Sequence, residues 1–506
     1  MALGSANLVK VGLVRETTLG TVPATPKWEP MRYTGETLTG APRTVLSDEI
    51  VTGRMVADLT QVGREVGGNI DFEWSYHRFG YGGLDLALEG ALCAAWTKTP
   101  EKDNDGTADS AITDVAVTTF IITTTAVSPA WAIGMLIRAT GFTDAANNRF
   151  FRASAGSATS ITPTTGGATE AAPPGTARVK CIGVQGASGD LLAVTAGGNG
   201  LTSTALNWTT FGLAVGQWVR IGTEAGGDAF SFVGTAANNG YARISVIAAT
   251  KLSFDIVPTG WAADTGAGKT IRVFFGDYLR NGTTVLGHSI EKQHTDLAPV
   301  YQVLKGMVVN TLTMALASQA IVRGTVGFLG MGIAVSATRT TGSTDGTAET
   351  ADVLNAAGNV GRVAENGTAL SGVYMLENTF NLTNNARQQP AVGGLGASDP
   401  YSFVGIALGR MVVSGTARFY FANETLLNKA LNSTASSLDW AVKDAAGHTF
   451  LVDVPKVKFG TASAPAAGLD QDIVLEMNWQ ALKYTPPTGA DYQVHVQRLE
   501  LAGTAA

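Results

Sequence analysis

The chain has 506 residues, 45% of them hydrophobic, enough for several cores, and length alone suggests about three domains of roughly 150 residues. Only 15% of residues are charged, against roughly 25% in typical globular chains, and Gly, Ala and Thr take up the difference. The net charge of −6 argues against a grip on nucleic-acid phosphates, which needs clustered Lys and Arg.

The N-terminus, MALGSANLVKVGLVRE, has no long apolar core and no signal-peptide pattern, and no window approaches the ~18 apolar residues of a membrane span. Synthesis in a cytoplasm, with no membrane partner, is the expectation. Strand-like runs follow at 67–76, 118–127, 217–222 and 251–257, then at 305–316, 321–331, 410–422 and 472–482. They are dense in Val, Ile, Thr and aromatics and bounded by Gly, Asn and Asp, so the fold is expected to be mainly β.

Two segments read as helices. Gly83 to Trp96 places Leu84, Leu88, Ala91, Leu92 and Ala95 on one stripe, and Asn423 to Trp440 has Asn423 as N-cap before Leu426, Leu427, Ala430 and Leu431. Each follows a strong strand. GREVGGNIDFEWSY before the first parallels GRMVVSGTARFYFA before the second, both opening Gly-Arg (Gly63-Arg64 and Gly409-Arg410). Downstream, 301–331 has the rhythm of 449–479, a strand hairpin with a small-residue loop. A duplicated strand–helix–hairpin unit accounts for the pattern, each copy with one flanking helix.

The stretch 100–275 interrupts the first copy and shifts to Thr, Ala and Gly with many turn signals. It carries its own repeat. Residues 133–154 resemble 215–245, each pairing a Gly-x-x-(Ile/Val)-Arg strand with an Asn-Asn turn, an aromatic and then Arg; ARVKCIG and IRVFFG close the two halves. The expected division is a first unit at 1–99 and 276–340, two inserted β-modules at about 100–183 and 184–275, and a second unit at 341–506.

Motifs for chemistry are thin. DTGAGKT at 264–270 imitates a phosphate loop, but Ala263 stands where its first Gly belongs and a strand, IRVFF, follows instead of a helix. The histidines (His77, His288, His294, His448 and His495) lack a metal-ligand spacing; a weak site from His288, His294, Glu291 and Asp296 stays open. Cys93 and Cys181 are too few for a disulfide framework and read as buried apolar residues. No Gly-x-Ser-x-Gly elbow or paired carboxylates are found, so no catalytic residue, cofactor or metal is assigned and an enzyme is not expected. The long segments 40–62 and 386–405 lie at matching places before the two Gly-Arg strands and suggest arms reaching a neighbouring subunit. Arg43, Asp48, Arg54 and Asp58 mark the first, and Arg387, Asp399 and Tyr401 the second.

ETTLGTVPATPKWEPMRYTGETL at 16–38, SDEIVTGRMVADLTQVGREVGGNIDFEWSY at 47–76, FFGDYLRNGTTVLGHSIEKQHTD at 274–296 and the 305–331 hairpin resemble the tail tube proteins of phages with long non-contractile tails, the siphophage type. The resemblance covers roughly 1–98 and 274–500. It implies duplicated tail-tube β-sandwich units whose strands line a closed inner β-barrel, with rings stacking into a hollow tube in the virion tail. Phage DNA touches such a tube only in passage; a tape measure protein, a tail terminator and distal tail or baseplate proteins are its further partners. Two units per chain make three copies sufficient for a pseudo-sixfold ring, with a hexamer as the alternative. The expected ring-lining strands carry Val303, Val308, Leu312, Val322, Val326 and Phe328, and Val452, Val457, Ile473, Leu475 and Met477. A second reading stays open: a surface adhesin or decoration protein that binds host glycan or receptor through 100–275.

Overall fold

The computed structural model describes every residue except 1–3, 54, 77–81, 105–111, 117, 123–125, 224–227, 298–299, 359, 371–372, 397–398, 467 and 502–506. Its fold is mainly β. The chain opens with β1 (Val9–Arg15), β2 (Gly35–Glu36), β3 (Thr39–Leu46), β4 (Leu59–Glu73) and helix α1 (Gly83–Leu92). The insertion's principal strands are β5 (Met135–Thr140), β6 (Phe150–Gly156), β7 (Ser160–Pro163) and β8 (Arg178–Gln185), then β9 (Trp218–Ile221), β10 (Gly240–Ile247), β11 (Lys251–Ile256) and β12 (Arg272–Phe274). Next come β13 (Gly287–His294), β14 (Val300–Ala317), β15 (Arg323–Leu329) and β16 (Gly332–Ser336). The last part holds β17 (Val360–Glu365), β18 (Met375–Thr383), β19 (Val412–Tyr420), α2 (Thr425–Leu431), β20 (Ala435–Lys443), β21 (His448–Ser463), β22 (Val474–Ala481) and β23 (His495–Glu500).

Strict alternation builds the central strands. Along β19 and β22 every second residue is buried, the pattern of a sheet with one face on a core and one in solvent. Eight strands pair antiparallel in one band, in the order β3, β4, β15, β14, β18, β19, β22, β21. The first four come from the first copy of the unit and the last four from the second. One hydrophobic core runs beneath both, from Phe72, Leu88 and Phe328 to Phe380, Trp440 and Trp479. Trp74 meets Phe450 edge to face at 5.4 Å, and Tyr76 stacks on His448 at 4.6 Å, so the copies share that core.

The duplication is visible in hydrogen-bond register. Ile290 pairs with Leu304 in one copy and Leu438 with Val454 in the other, each just past one irregularity in the ladder. Leu312 opposite Val326 repeats as Ala462 opposite Met477. Gly68 opposite Phe328 repeats as Gly415 opposite Trp479. Both glycines are required, because a Cβ there would lie 2.4 Å from the Thr37 carbonyl oxygen or 1.9 Å from that of Thr379.

This register corrects the Gly-Arg correspondence by one residue. Val66 matches Val413 through their partners Gly40 and Leu382, so Gly63 falls beside Arg410 and not beside Gly409. The helices also end earlier than expected. The first stops at Leu92 because Cys93 turns left-handed (φ 55°), leaving Trp96 beyond it. The second stops at Leu431, and the Ser/Thr-rich run after it becomes β20, paired on one edge with β17 and on the other with β21. Trp440 therefore lies in a strand, where tertiary pairing overrides local helical spacing.

The insertion forms a second sheet of two like halves joined through β8 and β12. The Asn-Asn repeat has one structural meaning in both. Asn147 exchanges side-chain hydrogen bonds with the backbone of Ala168, and Asn238 does so with Ala262; Asn148 likewise brackets Phe142, and Asn239 brackets Phe232.

Candidate assembly surface

The band presents two chemically different faces. The residues marked as ring-lining point to the core: Val303, Val308, Leu312, Val322, Val326 and Phe328 are buried, as are Val452, Val457, Leu475 and Met477, while Ile473 is exposed ahead of β22. Their alternate neighbours form the solvent face: Asn69 and Asp71, Thr311 and Thr313, Thr325, Thr379 and Asn381, Ser414 and Thr416, Asn478 and Gln480. The run Asn310-Thr311-Leu312-Thr313-Met314 carried that signal in its alternation of hydroxyl and aliphatic side chains.

Hydroxyls and amides bind one another on this face. The Thr325 hydroxyl donates to Asp71 at 2.6 Å and that of Thr416 to Asn478 at 3.1 Å. Its arginines are paired. Arg418 lies 3.4 Å from Glu377 and 3.6 Å from Glu476, and Arg323 lies 3.6 Å from Glu73.

The arms differ from each other. The first is a ribbon of β3 and β4 carrying Arg43, Asp48 and Asp58, all exposed; Arg54 lies outside the described residues. Around its tip Val45, Leu46, Ile50, Met55, Val56 and Leu59 are exposed, Ile50 by 98%. The second arm, expected to reach another subunit, folds onto the first copy of its own chain. Ile406, Phe403 and Leu408 pack with Val308, Met331 and Leu329. Asp399 sits 2.7 Å from Lys305 and 3.5 Å from Arg64. Burial pushes the Asp399 carboxyl up, but the Lys305 and Ser402 hydrogen bonds outweigh it and hold the group below the usual carboxylate range. Arg387 stands on a short hairpin strand, exposed, as is Tyr401. The arm meets its own chain because the chain already supplies the neighbouring unit.

Buried charge roots the insertion. Lys180 reaches Asp277 at 2.6 Å and Glu101 at 2.8 Å, and Arg498 bridges Asp277 and Asp85 at 2.9 and 2.7 Å. Trp218 donates to Asp453 at 2.9 Å beside Arg243 at 3.3 Å. Apolar contact joins Leu136, Ile182 and Phe274 to Leu451 and Leu499.

The chemical decoys resolve. In the 264–270 turn Asp264 accepts from Gly266 at 2.9 Å, and β12 follows. Glu291 is taken by Arg339 and Asp296 by the Ser5 amide, and among the described residues no group of three metal-ligating side chains converges. His77 lies outside the described residues. Burial raises both thiols, Cys93 to about 11 and Cys181 to about 12, so neither is a ready nucleophile. Among the described residues no helix is long and apolar enough to cross a membrane.

A repeated β-unit joined edge to edge, with apolar arms and paired surface charge, defines a structural protein built for association. The phage tail tube protein family matches residues 6–257 and again 258–481, and the chain belongs to that family. Membership implies a component of a phage tail that self-assembles into a tube. No curated protein matches the chain.

Proposed function

We propose that the protein is the major tail tube subunit of a siphophage-type virion, three chains closing a pseudo-sixfold ring and rings stacking into the conduit for DNA ejection. The observation that carries this reading is the eight-strand band, in which one chain already sets two units side by side with a shared polar face. That face lines the bore. With Arg323 and Arg418 occupied by carboxylates and the rest largely hydroxyl and amide apart from Lys458 beside Gln480, it offers phosphates little to hold, so DNA slides.

The insertion at 100–275 has a sheet of its own, which supports setting it apart. The first unit at 1–99 and 276–340 and the second at 341–506 share the larger sheet, and the proposed division between them rests on the repeated register. The insertion packs on the half of β21 that is buried throughout, away from the polar face, which supports a place on the tube exterior. The tape measure protein occupies the bore before DNA, and terminator and distal tail proteins cap the ends. Electron microscopy of the concentrated protein, with rotational symmetry read from end-on views, tests the proposal. Hollow tubes with threefold rings are expected. Rings of six complete chains overturn the stoichiometry, and particles that stay monomeric beside a tail initiator complex overturn the tube.

A further inference from the structure

Within the eight-strand band one joint links the two units, and the band's two ends are the halves of a second. Inside the chain β14 and β18 pair with Thr311 opposite Thr383, Leu312 opposite Leu382 and Thr313 opposite Asn381. The registers above give each residue a counterpart. Leu312 and Thr313 correspond to Ala462 and Ser463, through their partners Val326 and Thr325 against Met477 and Glu476. Leu382 and Asn381 correspond to Gly40 and Thr39, through Val413 and Ser414 against Val66 and Gly67.

Both counterparts are free. In the first copy β13 leaves the edge of β14 at Val308, and β18 takes that edge over from Thr311. In the second copy β20 leaves the same edge of β21 at Lys458, and no described strand takes it over. At the other end of the band β3 pairs with β4 alone, its outer edge open and Thr39, Ala41 and Thr44 exposed. Two complementary unpaired edges on one molecule are a template for head-to-tail addition.

Resting on the tube reading, we infer that neighbouring copies join by repeating the internal joint: Thr461, Ala462 and Ser463 of one chain pair antiparallel with Ala41, Gly40 and Thr39 of the next. The fit is steric as well as registral. Ala462 and Gly40 replace Leu312 and Leu382, and a larger residue at 40 is barred because its Cβ would lie 2.4 Å from Ile333. The first arm then crosses to the neighbour as the second arm does within the chain. It brings Asp48, Glu49 and Asp58 toward Lys456 and Lys458, both exposed on the receiving side, next to Lys483, which its own chain pairs with Asp491. Leu482 there matches Met331, which the second arm covers in the first copy. Its apolar tip residues lose their exposure in the same contact.

Paired cysteines test the register. Directly opposite residues of an antiparallel pair lie about 4.5–5.5 Å apart at Cα, within disulfide reach. The two native cysteines are buried. In assembled protein the double variants Ala41→Cys/Thr461→Cys and Thr39→Cys/Ser463→Cys should, on mild oxidation, give a reducible ladder ending at three chains, and the single variants should not. Tubes seen by microscopy in the same sample without that ladder overturn the seam and leave the tube standing. Wild-type protein that makes no tubes with an initiator overturns the reading beneath it. Thr461→Pro gives a second check, since proline blocks pairing on an edge without touching the core. A variant that melts like wild type and forms no rings supports the seam; one that still builds tubes overturns it.

Discussion

The two copies of the unit share their strand order and differ in how far they are finished. In the first, α1 is buried at every residue but Leu86. Asp85 binds Arg498, and the Ala91 carbonyl accepts from Asn384, just after β18, at 3.0 Å. In the second, α2 is shorter and buries only Leu426 and Ala430, with Leu431 exposed by 71%. The cover over the first copy comes from the second; among the described residues no equivalent cover lies over the second. Burial of a repeated element is thus set by its neighbour as much as by its own sequence.

The largest expected effect comes from breaking the internal joint. Phe380 is buried on β18 with ring centroids 6.2 Å from Trp440 and 6.3 Å from Trp479. Phe380→Ala should cost about 3–5 kcal/mol in denaturant unfolding. If it costs nothing, the joint is not part of the shared core.

Next is the root of the insertion, which only the first copy has. Lys180→Met leaves Asp277 with Arg498 as its remaining ion-pair partner, beside hydrogen bonds from Thr99, and the loss should approach about 3 kcal/mol by the same measurement. A neutral result would make this root dispensable.

One buried group in each copy responds to acid in the opposite sense to the other. Burial pulls the His288 imidazole of the first copy down to about 4. Burial pushes the Asp453 carboxyl of the second up to about 6, with Arg243 offsetting part of it. Between about pH 4 and 6.5 the unfolded chain holds a proton at His288 that the folded chain lacks, so this group makes stability rise with pH. Between about 3.8 and 6 the folded chain holds a proton at Asp453 that the unfolded chain lacks, so that group makes stability fall with pH. Each is worth about 3 kcal/mol across its window, and the two nearly cancel. Denaturant titrations at pH 4 and 6.5 should show His288→Gln losing stability as pH rises and Asp453→Asn gaining it; parallel profiles would sink the assignment.

The smallest effect is at the docked arm. Asp399→Asn removes partly exposed pairs to Lys305 and Arg64, under about 1 kcal/mol after solvent screening. Limited proteolysis between 390 and 404 should quicken while global melting barely moves. Unchanged cleavage would show that Ile406 and Phe403 hold the arm by themselves.

Much of this was legible in the chain. Alternation in TARFYFA and NTLTMAL announced half-buried strands, and the paired Asn-Asn turns announced the repeated modules, because both are short-range consequences of side-chain period and local hydrogen bonding. The candidate surface was legible only as strands. Sequence marked their core residues, while the polar face between them needed the sheet to show which alternate set meets solvent.

By itself, then, the sequence determined a mainly β, duplicated and interrupted chain, since periodicity and repetition are written residue by residue. Tertiary structure decided that Trp440 belongs to a strand, that Gly63 stands beside Arg410, and that the second arm closes on its own chain. It also decided which edges of the band stay open. Those outcomes depend on which distant strand takes up a backbone N–H or C=O, and pairing partners across hundreds of residues leave no local trace.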